Sequence, residues 1–329
     1  MNLAIIGCGI IGQRRARNLA GARLVCCADT DATRAAAVAA SSAGCCVASD
    51  WRAVLEQRDV DAVIVATPPA AQAEIAGAAI ASGRHVLVEK PAARHADELR
   101  GLTELAERRD VRVRVGFNHR YHRAFRQARQ LVDSGMLGSL LFVRARYGHG
   151  GRLGYEKEWR AQPQVSGGGE LIDQGVHLID LARWFLGEFV EAGGFAHTYY
   201  WDMPVDDNAF MLLKTAAQQV AFLHASCTEW KNLFSWELCG RDGKLHVEGL
   251  GGSYGIERLT WHRMLPQMGP PETTIWEFPM DDDSWALEMA DFVEDIRRGR
   301  EPAVGLKDAL AALEVVGRIY AESGYDHRA

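Results

Sequence analysis

The 329-residue chain lacks several features that would each announce a class of protein. It has no apolar run of the roughly 18 to 20 residues a membrane span needs, so no membrane role is expected. It has no basic block. Its 37 basic residues face 43 acidic ones, for a net charge of −6, which argues against nucleic acid as a partner. It has no internal repeat and no low-complexity linker. Lysine is scarce beside arginine, which reads as genome composition rather than function. The seven cysteines are odd in number and show no C-x-x-C spacing. Four of them stand in adjacent pairs, Cys26–Cys27 and Cys45–Cys46. The expectation is free, buried thiols in a reducing cytoplasm. The opening segment "MNLAIIGCGIIG" has no positive n-region and meets glycines too early for a signal peptide, so a cytoplasmic location is expected.

What is present is ordinary globular composition, 48% hydrophobic and 24% charged, long enough for about two domains. The first third alternates short apolar runs with helical stretches. Leu3–Gly7, Arg23–Asp29, Asp61–Pro69, His85–Pro91 and Val111–Asn118 read as strands. Asp31–Ala40, Ala70–Ser82 and Ala96–Arg108 read as helices between them. Such alternation predicts a parallel, doubly wound α/β sheet over residues 1–120. Residues 121–329 have a different texture. Helices are expected at Ala124–Ser134, Glu170–Leu186 and Leu306–Ser323, the last able to pack back on the first domain. Long alternating runs predict an α+β domain with a large, mostly antiparallel open sheet. "CGRDGKLHVEG" carries a hairpin signal at Asp242-Gly243. The tryptophans and phenylalanines of these runs suggest that the second sheet face is covered as well, by a partner subunit.

"IIGCGIIG" supplies Gly7, Gly9 and Gly12 in G-x-G-x-x-G spacing, after a strand and before a helix. Gly7 permits the turn, Gly9 leaves room for a pyrophosphate, and Gly12 lets the helix approach the sheet. Ile10 and Ile11 open that helix, whose free N–H groups favour phosphate. Asp29 arrives 17 residues beyond Gly12, at a strand end. Its carboxylate can hold the ribose hydroxyls of NAD and would repel the phosphate of NADP, so NAD is the expected cofactor. Arg14, Arg15 and Arg17 read as a solvated helix face. "HVLVEKP" places Glu89 and Lys90 at the end of a parallel strand, where ligands of such sheets bind. Pro91 permits a fixed bend or a cis bond there.

A further stretch, "GGGELIDQGVHLID", puts Glu170, Asp173, His177 and Asp180 on one stripe if it is helical. Together with the glycine fingerprint, "ATPP" and "EKP", in this order, it resembles the Gfo/Idh/MocA family, the glucose–fructose oxidoreductase and inositol dehydrogenase relatives. The resemblance covers nearly the whole chain. It implies a Rossmann domain followed by an α/β domain whose open sheet builds a homodimer or homotetramer. It also implies NAD(P)-dependent hydride transfer at a hydroxyl of a sugar, nucleotide-sugar or cyclitol. By that resemblance Lys90, Asp173 and His177 are the catalytic set, and Thr67, Pro68, Glu89 and Lys90 join the cofactor site. One departure stands out: Gln72 occupies a position where relatives carry histidine, which puts a proton or capping role there in doubt.

Alcohol oxidation needs a base near the working pH, which His177 supplies unperturbed. Lys90 suits the reacting oxygen, and Asp173 suits orientation of the imidazole or binding of a neighbouring hydroxyl. "GFNHRYH" offers Asn118, His119 and Arg120 either as nicotinamide or substrate contacts or as a polar hinge. Arg152, Tyr155 and Trp159 lie in a glycine-rich loop that either closes on substrate or serves structure. No metal is expected, because hydride transfer needs none and no second histidine at zinc spacing appears. Asp180 reads as a supporting or packing residue. Two other functions stay open on this scaffold: a glycosidase that uses NAD transiently, and a non-enzymatic dinucleotide-binding regulator.

Overall fold

A computed structural model describes residues 1–267 and 269–325. The chain forms two compact units. The first contains Met1–Phe117, Val165–Gly167 and Trp285–Leu313, and the second contains the rest. A single cut at 120/121 is therefore too simple, because a later segment returns to the first unit.

The first unit holds six parallel strands: β1 (Asn2–Ile6), β2 (Arg23–Ala28), β3 (Cys46–Ala48), β4 (Ala62–Val65), β5 (His85–Glu89) and β6 (Val113–Gly116). Their order is β3-β2-β1-β4-β5-β6, the doubly wound arrangement expected from the alternation. Strand β4 is buried along its whole length, and so nearly is β1, which explains their unbroken apolar sequence. Asp31 and Asp50 accept hydrogen bonds from helix-start N–H groups and so begin the helices Ala32–Ala39 and Trp51–Leu55. Pro69 opens the helix Pro69–Ala81, where its missing N–H costs nothing.

Three expectations need correction here. The helix anticipated over 96–108 is broken into Ala96–Leu99 and Leu102–Arg109 by Gly101, at φ +81°. The helix Ser284–Arg298 was not anticipated, yet its Met289, Phe292 and Val293 share one core with Leu3, Ile5, Leu24, Ile64 and Leu87. The cysteines are not all free. Short β3 pairs Cys46 directly with Cys26 of β2, and the two form a disulfide. The adjacent doublets place Cys27 and Cys45 Sγ only 3.5 Å apart as thiols. Strand pairing, rather than sequence spacing, brought these doublets together.

The second unit holds eight strands: β7 (Leu140–Gly148), β8 (Phe189–His197), β9 (Asn208–Thr215), β10 (Val220–Ser226), β11 (Leu233–Gly240), β12 (Gly243–Glu248), β13 (Glu257–Arg263) and β14 (Glu272–Phe278). They are ordered β14-β13-β12-β11-β7-β10-β9-β8. Every neighbouring pair is antiparallel except β7–β10. The hairpin expected at Asp242-Gly243 joins β11 to β12. One face packs Phe234 and Trp236 against Phe125 and Phe185. The other leaves Phe195 at 69% and Leu212 at 57% exposure, with Phe210 and Phe222 beside them. No helix among the described residues is long and apolar enough to cross a membrane.

Candidate active site

In the first unit, the chain leaves β1 through Gly7 into the helix Ile10–Ala16. A Cβ on Gly7, at φ +92°, would lie 2.6 Å from the Ala66 carbonyl. A Cβ on Gly12 would lie 2.0 Å from the Gly7 oxygen. Packing of the turn therefore demands both glycines. Gly9 differs, because a Cβ there would meet nothing within 4 Å. Two glycines hold the turn closed, and the third leaves its outer side open.

Ile10 stands 79% exposed at that opening, and Ile11 is half-buried. Asp29 lies just past β2. Its carboxylate accepts the Cys8 N–H at 2.6 Å and the Asp31 N–H at 2.8 Å. The acid is thus fixed against the glycine turn rather than free in solvent. Thr67 follows β4, and its hydroxyl is buried without a hydrogen-bond partner among the described residues. Pro68 is exposed beside it. An open cradle, an anchored acid and an orphaned buried hydroxyl are the donor and acceptor set that a dinucleotide would complete. Gln72 settles the question its sequence raised. It is buried, and its Nε2 donates to the Thr67 carbonyl at 3.0 Å. An amide caps this turn with no proton chemistry.

Arg15 overturns the expectation of a solvated helix face. It is 0% exposed. Its Nε lies 2.6 Å from Glu89, and its Nη1 lies 2.7 Å from Glu288. The guanidinium also sits 4.5 Å over the Trp285 ring. Burial works against its charge, but the two carboxylates outweigh burial and hold Arg15 above its ordinary pKa. Burial pushes Glu288 up in spite of the arginine. Gly116 makes room for this network, because a Cβ there would meet Glu89 at 2.7 Å and Arg15 at 2.9 Å. Glu89 is therefore a strut under the end of β5, not an open cofactor ligand. Lys90 follows it, half-buried, and is joined to Pro91 by a cis peptide bond.

In the second unit, the stretch 168–180 does not form one regular helix. Leu171–Gly175 is a π turn, and the α-helix begins at Val176. The wider turn carries an extra residue, so the single stripe is broken. Each polar residue finds a different neighbour. Glu170 is buried and accepts the Tyr155 hydroxyl at 2.8 Å, with His149 at 3.5 Å. Burial works against protonating His149, but Glu170 overcomes it and raises the imidazole's pKa. Asp173 accepts Arg160 Nε at 3.2 Å. Arg120 grips Asp180 with two bonds, at 2.9 and 2.5 Å. His177 stacks on His119 with ring centroids 3.7 Å apart.

The start of this segment is clamped by residues that sequence reasoning missed. The Asp206 carboxylate accepts the N–H groups of Gly169 and Leu171, each at 2.8 Å, and the Tyr320 hydroxyl at 2.7 Å. A Cβ on Gly168 would lie 2.1 Å from that hydroxyl, and one on Gly169 would lie 1.9 Å from the Asp206 carbonyl. These contacts explain two of the three glycines. Burial raises the Asp206 carboxyl to about 6, while Tyr320 and the N–H groups pull it back. No local pattern marks Asp206, because its partners lie over thirty residues away in sequence.

The remaining candidates are also placed. Asn118 donates to Ser284 Oγ at 2.9 Å. Asn118, His119 and Arg120 are all buried. Arg152 is exposed and clasped by Glu158 at 2.6 Å through two bonds. Tyr155 points inward to Glu170. Trp159 lies under the Arg160 guanidinium at 4.5 Å. Of this loop, Arg160 rather than Arg152 reaches a predicted catalytic residue. The "WR" pair was in view in the sequence, but nothing there distinguished the two arginines. No group of three or more His, Cys, Asp or Glu among the described residues is placed to hold a metal.

Comparison with known proteins agrees with both units. Residues 1–117 match the oxidoreductase family with an NAD-binding Rossmann fold, and residues 125–246 match the GFO/IDH/MocA C-terminal domain. The chain is 34% identical over 204 residues to inositol 2-dehydrogenase 2 of Saccharopolyspora erythraea, covering 60% of this chain and 57% of that protein. It is 31% identical to levoglucosan dehydrogenase of Pseudarthrobacter phenanthrenivorans, over 51% of this chain and 43% of that protein. The chain thus spans about half the length of these two curated relatives. It is 28% identical to the NAD(+)-dependent scyllo-inositol 2-dehydrogenase of Bacillus subtilis, over 95% of this chain and 91% of that protein. In fold it is similar to levoglucosan dehydrogenase in complex with NADH and L-sorbose, with a TM-score of 0.89 at 22% identity, covering 98% and 97% of the two chains.

Proposed function

The chain belongs to the GFO/IDH/MocA oxidoreductase family, and from that premise we propose that it is an NAD-dependent dehydrogenase or ketoreductase acting on a secondary alcohol of a cyclitol or sugar. The observation that carries this reading is the pairing of an NAD-type first unit with a second unit that presents a buried histidine and a held carboxylate on one helix start. A regulator that only bound dinucleotide would have no use for that second set. The alternative glycosidase reading would be favoured by release of aglycone without net NADH.

Bound NAD would supply the hydride acceptor. In the proposed reaction His177 takes the hydroxyl proton, Lys90 bonds the reacting oxygen, and Asp173 orients the reacting groups. Arg160 holds Asp173 in place. The anchored Asp29 favours NAD over NADP. The relatives' names point to inositols and levoglucosan as first substrates to try, with nucleotide-sugars after them. The apolar outer face at Phe195, Phe210, Leu212 and Phe222 supports a homo-oligomer through this sheet, which sedimentation would detect. The absence of a spanning helix among the described residues fits a cytoplasmic enzyme.

The test is a panel of inositols, anhydrosugars and nucleotide-sugars followed by NADH absorbance, with His177→Ala beside the wild type. Turnover should fall at least a hundredfold in the variant, in line with loss of a general acid–base, while NAD affinity stays unchanged. A variant that turns over normally removes His177 from the role.

A further inference from the structure

His119 lies in the short 3-10 turn Asn118–Tyr121, and His177 is the second residue of the helix Val176–Leu186. Their rings are stacked, 3.7 Å between centroids and 17° from parallel. Both are nearly sealed, at 6% and 4% exposure. Asn118 fixes the state of the first ring. Its Nδ2 is committed to Ser284 Oγ, so Oδ1 is the end turned to His119 Nδ1, at 3.2 Å. An amide oxygen only accepts, so Nδ1 of His119 carries the hydrogen.

We propose that His119 and His177 form a stacked pair that binds a single proton, with His119 as the neutral ring that positions His177. That this proton is the one exchanged with substrate rests on the acid–base reading above. Two imidazolium rings face to face at this distance, with little water between them, would repel strongly, so the pair resists a second proton.

That proton is assigned to His177, which lies on the segment that carries Asp173 and Glu170. Asp173 lies one turn earlier on the same segment, held by Arg160, with Glu170 at the segment's start. On the other side, His122 meets His119 edge-on at 5.5 Å and is already bonded to Glu257. Arg120 is neutralised by Asp180. Tyr147 lies 5.3 Å from His119 and 6.3 Å from His177. Burial above all, with Tyr254, Asp173 and Glu170 adding to it, raises its hydroxyl and keeps it neutral. His119 is thereby a positioning residue rather than the nicotinamide or substrate contact its sequence position offered.

The experiment is a side-chain nitrogen NMR titration of the full-length protein labelled with 15N-histidine. The wild type should show His119 as the Nδ1–H neutral form from about pH 5.5 to 9, while His177 takes up one proton. In His177→Phe, the midpoint of His119 should rise by at least about one pH unit, a tenfold gain in proton affinity. Protonation of both rings in the wild type over this range, an Nε2–H form of His119, or an unmoved midpoint would each overturn the pair.

A second measurement needs no titration. With myo-inositol or the best substrate of the panel as probe, His119→Ala should lower kcat about tenfold or more at unchanged NAD affinity. His119→Phe, which keeps a ring under His177, should restore most of it. Failure of Phe to rescue would refute the positioning role. Normal turnover of His177→Ala would sink the acid–base reading alone, and the NMR titration would still decide the pair.

Discussion

Replacing Arg15 with methionine tests the buried network beneath Lys90. The arginine is fully buried and lies within 2.7 Å of both Glu89 and Glu288. Methionine keeps the bulk but strands two carboxylates with no cation between them. Removing one partner of a buried ion pair costs about 3 to 5 kcal/mol, because the remaining charge is left uncompensated. The unit concerned has about 150 residues, for which each kcal/mol moves the melting temperature by about 2 to 4 °C. The expected loss is therefore about 6 to 20 °C, read by calorimetry or urea unfolding.

The pH dependence supplies a second signature. Burial already holds Glu288 above its ordinary value, and loss of Arg15 would raise it further. Between the unfolded value and that raised value, the folded state binds a proton that the unfolded state does not. Stability then falls as pH rises through that window, and the full cost is present above it. The variant should thus regain part of its stability as pH drops from 7 toward 5, more than the wild type does. Adding Glu288→Gln should recover part of the loss at pH 7. A single variant within about 1 kcal/mol of wild type at pH 7, or one with an unchanged pH profile, would refute the reasoning.

Three further outcomes are expected. Asp29→Ala should weaken NAD about ten- to a hundredfold, the worth of about 1.5 to 3 kcal/mol for hydrogen bonds to a charged group, and should narrow the preference over NADP. Cofactor titration checks it, and an unchanged NAD/NADP ratio would count against Asp29 as the selecting acid. Arg160→Gln should lower kcat about tenfold with little change in NAD affinity, because Asp173 loses its charged partner. Cys46→Ser, or reductant alone, should cost about 3 kcal/mol for opening the loop between Cys26 and Cys46. Urea midpoints with and without reductant measure it, and no shift would mean the bond contributes little.

The buried parallel strands, the fingerprint turn and the second-unit strands were legible because their signals are local. A buried parallel strand is apolar throughout, and a turn that needs no Cβ is spelled in glycine. Arg15 was misread for the opposite reason. Its helix position looked solvent-facing, and the partners that bury it lie 74 and 273 residues away. The same holds for Asp206, whose clamp on Gly169 is a contact between distant segments. The disulfide escaped because β3 is only three residues long, too short for any periodic signal. Asp173 and His177 were assigned to the site through resemblance. Their actual neighbours, Arg160 and His119, depend on the π turn, which no propensity rule announces.

That turn behaves like a slipped thread on a screw. Each residue of an α-helix advances about 1.5 Å and rotates about 100°. The five residues Leu171–Gly175 take one residue more than the thread allows, so every side chain from Val176 onward is offset by about one such step from those before it. Deleting a single codon at Gln174 would let the thread run true. It would swing His177 off His119 and Asp180 off Arg120 while leaving His119 and Arg120 themselves unchanged. The facing of this helix is therefore an inherited count of residues as much as a choice of residues, and a one-residue insertion or deletion can re-aim it where no point substitution could.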